Sequence, residues 1–449
     1  MILPLSKIKS ILILLLAALC VYQTGVLWFV NITNRNFLFN YFPFLQQTAI
    51  PEGFESFVVP WRVFSAVSQG NFTVAYNNLA RPDFDHHAGA ILSQLLISGN
   101  FVNAHLLDHE NMLSFIEYPA YIYEYAFPMK SEWFTLGFGQ RDDLLSRHGL
   151  ESFRRIIIRP PNFTELSSSA EVYFLCENGY AYEFVVTFPI NNDGRIILNR
   201  TAMYSADYDE PVLYKFVSLP AGGHFIRHGE FEFFDLNVSN PYAIDGHGMF
   251  ALDFVREKVA GFFSNPAAIH DIVDSDVWVY RDLNTIVRYY DSHVLEYLSF
   301  RAIDRSGTPS FINDFTAAVQ FIERDNLIIN DFYLAGFREE GDLHVFYFNY
   351  IIGNTPIIMP ENWPRDVQLS HPIIVTVDHA TVVRYHKLAF NFHLDVQPVS
   401  ANVDFYNQMH RLAGGFEDIK LGYRMSNDTV LGLYWFVDGR VLSAVRGIR

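Results

Sequence analysis

The feature that most constrains this chain is an apolar run from Ile11 to Val30 that contains no charged residue. As a helix, about 20 such residues span the hydrocarbon of a bilayer. Lys7 and Lys9 precede the run, and Arg35 is the only nearby charge after it. With the α-amine, positive charge is heavier on the N-terminal side, which places residues 1–10 in the cytoplasm and everything from Asn31 outside. The rival reading is a cleaved signal peptide, whose apolar core normally ends after about 7–15 residues at a small-x-small site. Here the run continues to Trp28, Phe29 and Val30 and no such site follows. Leu19 also stands where a lipid-modified Cys20 would require a small residue. The expectation is an uncut, single-pass anchor over 11–30, with Trp28 and Phe29 at its outer interface.

So short a cytoplasmic tail puts the work of the chain in the membrane or beyond it. With 449 residues in all, the exterior part has room for two or three domains. The chain holds 42 Phe and 25 Tyr, many in alternating runs, and aromatic side chains favour sheets. No acidic residue precedes Glu52, whereas Lys7, Lys9 and Arg35 do, so the formal charge of −17 becomes −20 for the part beyond Arg35. That balance argues against nucleic acid, anionic lipid or a polyanionic wall surface as a direct ligand.

Of the two cysteines, Cys20 lies in the apolar run and Cys176 in the strand-like stretch from Val172. No disulfide can form within the exterior part, which suits a bacterial cell with a single membrane, a Gram-positive one, better than a secreted eukaryotic domain. Asn-x-Ser/Thr triplets at Asn31, Asn71, Asn162, Asn199, Asn237 and Asn427 are frequent enough by chance to decide nothing.

Periodicity divides the exterior into regions at 36–150, 151–305 and 306–449. The first mixes signals: a short strand at Pro60–Phe64, helical spacing over Ala88–Ile97, an extended tyrosine-rich stretch over Tyr118–Phe127, and a helix or turn from Lys130. The second begins with a strand at Arg155–Arg159. Val172–Cys176 then faces Tyr180–Phe188 across Asn178-Gly179, a strong hairpin signal, and Asp193-Gly194 is a second turn of that kind. From residue 250 a helix and an antiparallel meander recur. Leu252–Phe263 precedes strands at Val277–Tyr280, Thr285–Tyr290 and Val294–Phe300. Phe311–Arg324 precedes Leu327–Phe337, Leu343–Tyr350, Ile373–Val377 and Thr381–Phe390. Val403–Leu412 precedes Asp418–Met425, Val430–Phe436 and Arg440–Val445. The expected class is α+β, with one transmembrane helix and about three exterior domains of antiparallel sheet covered on one side by helices.

Chemistry is harder to find. Asp83, Asp85, His86 and His87 are metal-ligand types, but they stand just before the helical run at Ala88, where acidic residues cap a first turn. His224 and His228 are four apart, yet Gly222, Gly223 and Gly229 flank them and favour a surface loop. Asp245 and His247 lie nearby in sequence, with nothing to bring the segments together. No nucleophile elbow, His-Glu-x-x-His or phosphate-binding loop occurs, and Cys176 reads as a buried strand residue. No catalytic, cofactor or metal site is assigned. The apolar run has features of its own. Ala18, Tyr22, Gly25 and Phe29 share a helical face, and Gln23 and Thr24 can hydrogen-bond to a neighbouring helix.

Several stretches carry a family resemblance. Phe262-Phe263-Ser264-Asn265-Pro266, then Val279-Tyr280-Arg281-Asp282, then Val294-Leu295-Glu296-Tyr297 resembles the FF-x-(D/N)-P, Y-x-D and LEY series of the YycH family. His371–Val377 with Thr381–Lys387 resembles the V-x-V and V-x-x-Y-x-R hairpin shared by YycH and YycI. Ile419–Tyr423 with Leu433–Phe436 is similar to their closing GY and L-x-P-x-W segments. Lys387 departs from the usual arginine and Tyr434 from the usual proline. The resemblance covers essentially the whole chain. It implies a membrane-anchored, three-domain exterior regulator of the WalK or YycG sensor histidine kinase of cell-wall metabolism. Contact would run through the transmembrane helix, at Ala18, Tyr22, Gln23, Thr24 and Gly25, beside a YycI-like partner, with no enzymatic activity and no cofactor. A non-signalling envelope scaffold and a metal-dependent wall hydrolase are the alternatives.

Overall fold

Alternation is the local rule that builds most of this molecule. In a computed structural model the described residues run from Pro60 to Ala444; residues 1–59, 189–213, 243–251 and 404–418, several shorter stretches and the last five residues lie outside the description. All the described residues belong to one compact unit, Pro51–Arg449. The apolar run Ile11–Val30 falls outside them, as does its face Ala18, Tyr22, Gln23, Thr24 and Gly25. No helix among the described residues is long and apolar enough to cross a membrane.

The first sheet opens with the hairpin β1 (Arg62–Ser68) and β2 (Asn71–Tyr76). Helix α1 (Pro82–Ser98) leads into the edge strand β3 (Asn100–Leu106), and α2 (His109–Phe115) into β4 (Tyr121–Lys130). Two short helices, α3 (Ser131–Gly137) and α4 (Leu144–Arg147), precede the meander β5 (Ser152–Arg159), β6 (Ser169–Leu175) and β7 (Tyr180–Thr187). The hairpin β8 (Tyr214–Leu219) and β9 (Gly222–Arg227) completes it. The order is β3-β7-β6-β5-β4-β1-β2-β8-β9. Ile156, Ile157 and Ile158 on β5 are all fully buried, because this central strand is covered on both faces. The Asn178-Gly179 turn forms as expected: Gly179 has φ +82, where a side chain is disfavoured, and Asn178 Oδ1 accepts from the Tyr180 amide at 3.2 Å.

A long strand, β10 (Gly229–Ser239), leaves the first sheet. Then come α5 (Leu252–Val259), two single 3-10 turns, and the meander β11 (His270–Asp274), β12 (Val277–Arg281), β13 (Thr285–Tyr290) and β14 (Val294–Ser299). Helix α6 (Phe311–Arg324) precedes β15 (Asp331–Glu340), β16 (Leu343–Ile352), β17 (Thr355–Ile358), β18 (Ile373–Asp378) and β19 (Thr381–Leu388). Strand β20 (Asn391–Val403) returns to pair with β10, and β21 (Ile419–Ser426), β22 (Thr429–Val437) and β23 (Arg440–Ala444) close the chain. The second sheet runs β11-β12-β13-β14-β19-β18-β16-β17-β21-β22-β23, with β15 on β16. Among the described residues every pairing is antiparallel except the short β17–β21 contact. At that contact Gly422 is required by close approach, since a Cβ there would lie 3.0 Å from the Pro356 carbonyl oxygen.

The expected boundaries at 150 and 305 do not coincide with the change of sheet. Strands β4 and β5, on either side of residue 150, are paired neighbours, and β14 and β19, on either side of 305, pair as well. The passage between sheets falls at β10 instead. The two sheets meet through aromatic rings: Trp133 stacks on Phe311 at 3.9 Å between centroids, and Trp61 on Tyr333 at 5.4 Å. Of the three repeated helices, the first two are present, the first ending in a 3-10 turn at Ala260–Phe262. Val403 ends a strand, and the rest of the third expected helix lies outside the described residues.

Candidate functional site

Between α5, α6 and β14 lies a cavity of about 500 Å³. Its geometry begins with a break in a helix. After Val259 the chain tightens into the 3-10 turn Ala260–Phe262, and Asn265 then caps Pro266–Ala268 by accepting from the Ala267 amide at 3.2 Å. Asparagine at an N-cap followed by proline is the arrangement that ends one segment and starts the next. The break buries Phe263 and turns Phe262 toward the cavity, which it lines with Tyr297 of β14 and Phe321 of α6. The centroids of these rings lie 5.9 Å (Phe262–Tyr297), 5.8 Å (Phe262–Phe321) and 4.9 Å (Tyr297–Phe321) apart, and Tyr385 of β19 joins them 5.2 Å from Phe321. Aromatic pairs at these separations contribute about 0.5–1.5 kcal/mol each beyond area burial.

Asp325, immediately after α6, reaches the floor of the cavity. A carboxylate at the negative end of a helix is unfavourable and needs compensation. Lys387 Nζ donates to Asp325 Oδ2 at 2.6 Å and Tyr385 Oη donates at 3.2 Å, with the aspartate 5% and the lysine 1% exposed. Burial pushes the Lys387 amine below its ordinary range, against the opposing pull of Asp325. The Tyr385 and Tyr242 hydroxyls are held well above theirs, by burial first and by Asp325 second. Lys387 Nζ lies 5.4 Å from the centroid of the Tyr242 ring, and Tyr242 Oη has no partner among the described residues.

A second lobe of about 210 Å³ shares Tyr297, Arg301, Phe321 and Arg324 with the first and ends at Ala380 and Thr381. There the β18–β19 turn carries two non-glycine residues in the left-handed region, His379 (φ 47) and Ala380 (φ 57). Each costs of order 1–2 kcal/mol, and buried carboxylates hold them in place. Asp314 in the first turn of α6 accepts from the Ala380 amide at 2.5 Å and pairs with His344 Nδ1 at 2.5 Å, while Asp378 pairs with His379 Nδ1 at 2.6 Å.

The residues beside Tyr297 and Tyr385 face the other side of the sheet. Glu296 is met by Arg288 at 2.8 Å, Tyr290 at 3.0 Å and His386 at 3.3 Å. Burial raises the carboxyl, and the bonds from His386, Arg288 and Tyr290 outweigh it, holding Glu296 at about 2.

The candidates read from sequence do not converge here. Asp83, Asp85, His86 and His87 lie inside the first turns of α1, which begins at Pro82 rather than at Ala88. His224 is in strand β9, not a loop, because Gly222 and Gly223 pair with Leu219 and Ser218 across the β8–β9 hairpin; His228, Asp245 and His247 lie outside the described residues. Cys176 is buried, and burial pushes its thiol up to about 12. No group of three or more His, Cys, Asp or Glu among the described residues is placed to hold a metal ion. Sequence reasoning missed Asp325, Arg301 and Arg324. The acid at the end of an otherwise regular amphipathic helix was the available signal, since a helix C-terminus favours cations.

No family model matches the sequence, and no curated protein matches it either. The fold does match a solved structure. The crystal structure of YycH from Bacillus subtilis superposes with a TM-score of 0.54, covering 87% of this chain and 96% of that one at 12% identity. The fold is YycH-like. Such coverage takes in both sheets, and so low an identity is compatible with it because a fold needs volume and pattern more than particular side chains. Within the YycH-like fold, residues from three separate motifs (Phe262, Tyr297, and Tyr385 with Lys387) assemble around Asp325. Lys387, the departure from the usual arginine, places a compact ammonium against the buried carboxylate.

Proposed function

We propose that this chain is an extracytoplasmic regulator of a two-component sensor histidine kinase of the WalK (YycG) type, anchored in the cell membrane by Ile11–Val30. The observation that carries the reading is the YycH-like architecture over 87% of this chain. In this reading the protein works by contact, beside a YycI-like partner, and needs no catalytic group. The exterior domains must have different contact free energies with the two signalling states of the kinase, since a partner that meets both states equally shifts neither. The contact runs through the span, on the face of Ala18, Tyr22 and Gly25 with Gln23 and Thr24 beside it, where small residues permit close approach and the polar ones bond across.

The test replaces Ile11–Val30 with an unrelated spanning helix of equal length and measures kinase output and export together. Regulation is expected to be lost while export continues. Normal output with the exchanged span would overturn contact through the membrane, and loss of the whole chain without change in output would leave an envelope scaffold.

A further inference from the structure

We propose that the cleft over Asp325 binds a small anion: a carboxylate or phosphate group held by Arg301 and Arg324, with a planar apolar body lying against Phe262, Tyr297 and Phe321. The inference stands on the cleft alone and is independent of the kinase reading. Both arginines border both lobes of the cleft, so a group placed between the lobes meets two guanidinium forks. Such forks match planar and tetrahedral oxyanions in bidentate geometry. A cavity of about 500 Å³ is in the size range of small-molecule sites, roughly 300–1,000 Å³, and its lining sets the rings of Phe262, Tyr297 and Phe321 beside a cluster of charged groups.

The charge distribution favours an anion at this place, although the chain as a whole is acidic. Lys258, Arg301 and Arg324 line the cavity against Glu257 alone, because Asp325 is already neutralised by Lys387. Among the described residues none of these three cations forms an ion pair. Nearby arginines are committed to carboxylates: Arg256 to Asp271 at 3.3 Å and Arg288 to Glu296 at 2.8 Å. Cations whose role was only to hold the fold would be expected to be paired in the same way. In a concave, partly apolar site their field is focused, which raises the local concentration of an anion.

The experiment uses the full chain in zwitterionic lipid nanodiscs, titrated calorimetrically with 2-naphthoate, 2-naphthyl phosphate and the neutral 2-naphthalenemethanol. At least one anion is expected to bind one-to-one and at least tenfold more tightly than the alcohol; the stronger of the two identifies carboxylate or phosphate as the group recognised. The double variant Arg301→Ala, Arg324→Ala is expected to weaken the anion at least tenfold with its thermal unfolding unchanged. Both side chains are exposed, so the variant tests binding rather than folding. Failure of both anions to bind, equal binding of the alcohol, or full binding by the double variant would each overturn the proposal.

Discussion

Each of the two sheets buries a carboxylate among cations, and the two arrangements differ in how the charges are brought together. In the first, Glu124 on β4 is flanked by Arg62 on β1 and Arg155 on β5, and all three are register partners across adjacent strands. Arg155 meets Glu124 at 2.7 Å, Arg62 bonds it from the other side, and their attraction outweighs burial and holds the carboxyl far below its usual range. In the second, Asp325 belongs to no strand. It hangs from a helix end and reaches Lys387 on the sheet below. Cross-strand charges are fixed by register and lock it; a charge joining two layers fixes how a helix seats on a sheet, and here it also forms the floor of a cavity. The same ingredients therefore serve strand pairing at Glu124, as they do at Glu296 in the second sheet, and layer placement at Asp325.

The largest effect should come from breaking the second cluster. Lys387→Met leaves an aspartate buried at the negative end of α6 with its cation gone, and a loss of about 3–5 kcal/mol is expected in urea unfolding. Adding Asp325→Leu should recover most of it, since an apolar pair can replace a buried ion pair at little cost. If the double variant is as unstable as the single one, Asp325 is doing something other than answering Lys387. Arg62→Met should cost less, about 2–3 kcal/mol, because Arg155 still holds Glu124; a loss as large as that of Lys387→Met would erase the distinction between the regions.

Glu296→Gln is expected to have the smallest effect, about 1–2 kcal/mol at pH 7, because its cluster is partly open to water. Its value lies in the pH dependence. Glu296 is held at about 2, below its ordinary 4.5, so its stabilising contribution is present above pH 4.5 and fades as the pH falls toward 2. The wild-type protein should lose stability faster over that interval than Glu296→Gln, and parallel curves of urea midpoint against pH would count against the assignment.

What the sequence makes legible is whatever depends on local period. Phe311–Arg324 and Thr285–Tyr290 have the expected limits because each runs through a clean 3.6- or 2-residue repeat between turn signals. The FF-x-N-P stretch is recognisable because a cap and a proline must sit at fixed offsets. Pairing partners are not legible in this way. Nothing local in β14 announces β19 as its neighbour, 90 residues on from Glu296 to His386. The hairpin β8–β9 reads as loop because Gly222 and Gly223 mask a short polar strand. The cleft is hidden for the same reason: Arg301, Arg324 and Phe262 are ordinary surface and helix residues until three elements converge.

The β10–β20 ribbon has a consequence for how the chain reaches this structure. It pairs Gly229 with Val403 and Ser239 with Asn391, so β11 to β19 lie within the loop that it closes. Joining the ends of so long a flexible chain costs about 4–5 kcal/mol of configurational entropy by the logarithmic law. That cost falls once the hairpins inside have formed, because a folded sheet shortens the effective path between the ends. Contacts of such high sequence separation slow folding, so the kinetically economical order is hairpins first and clasp last.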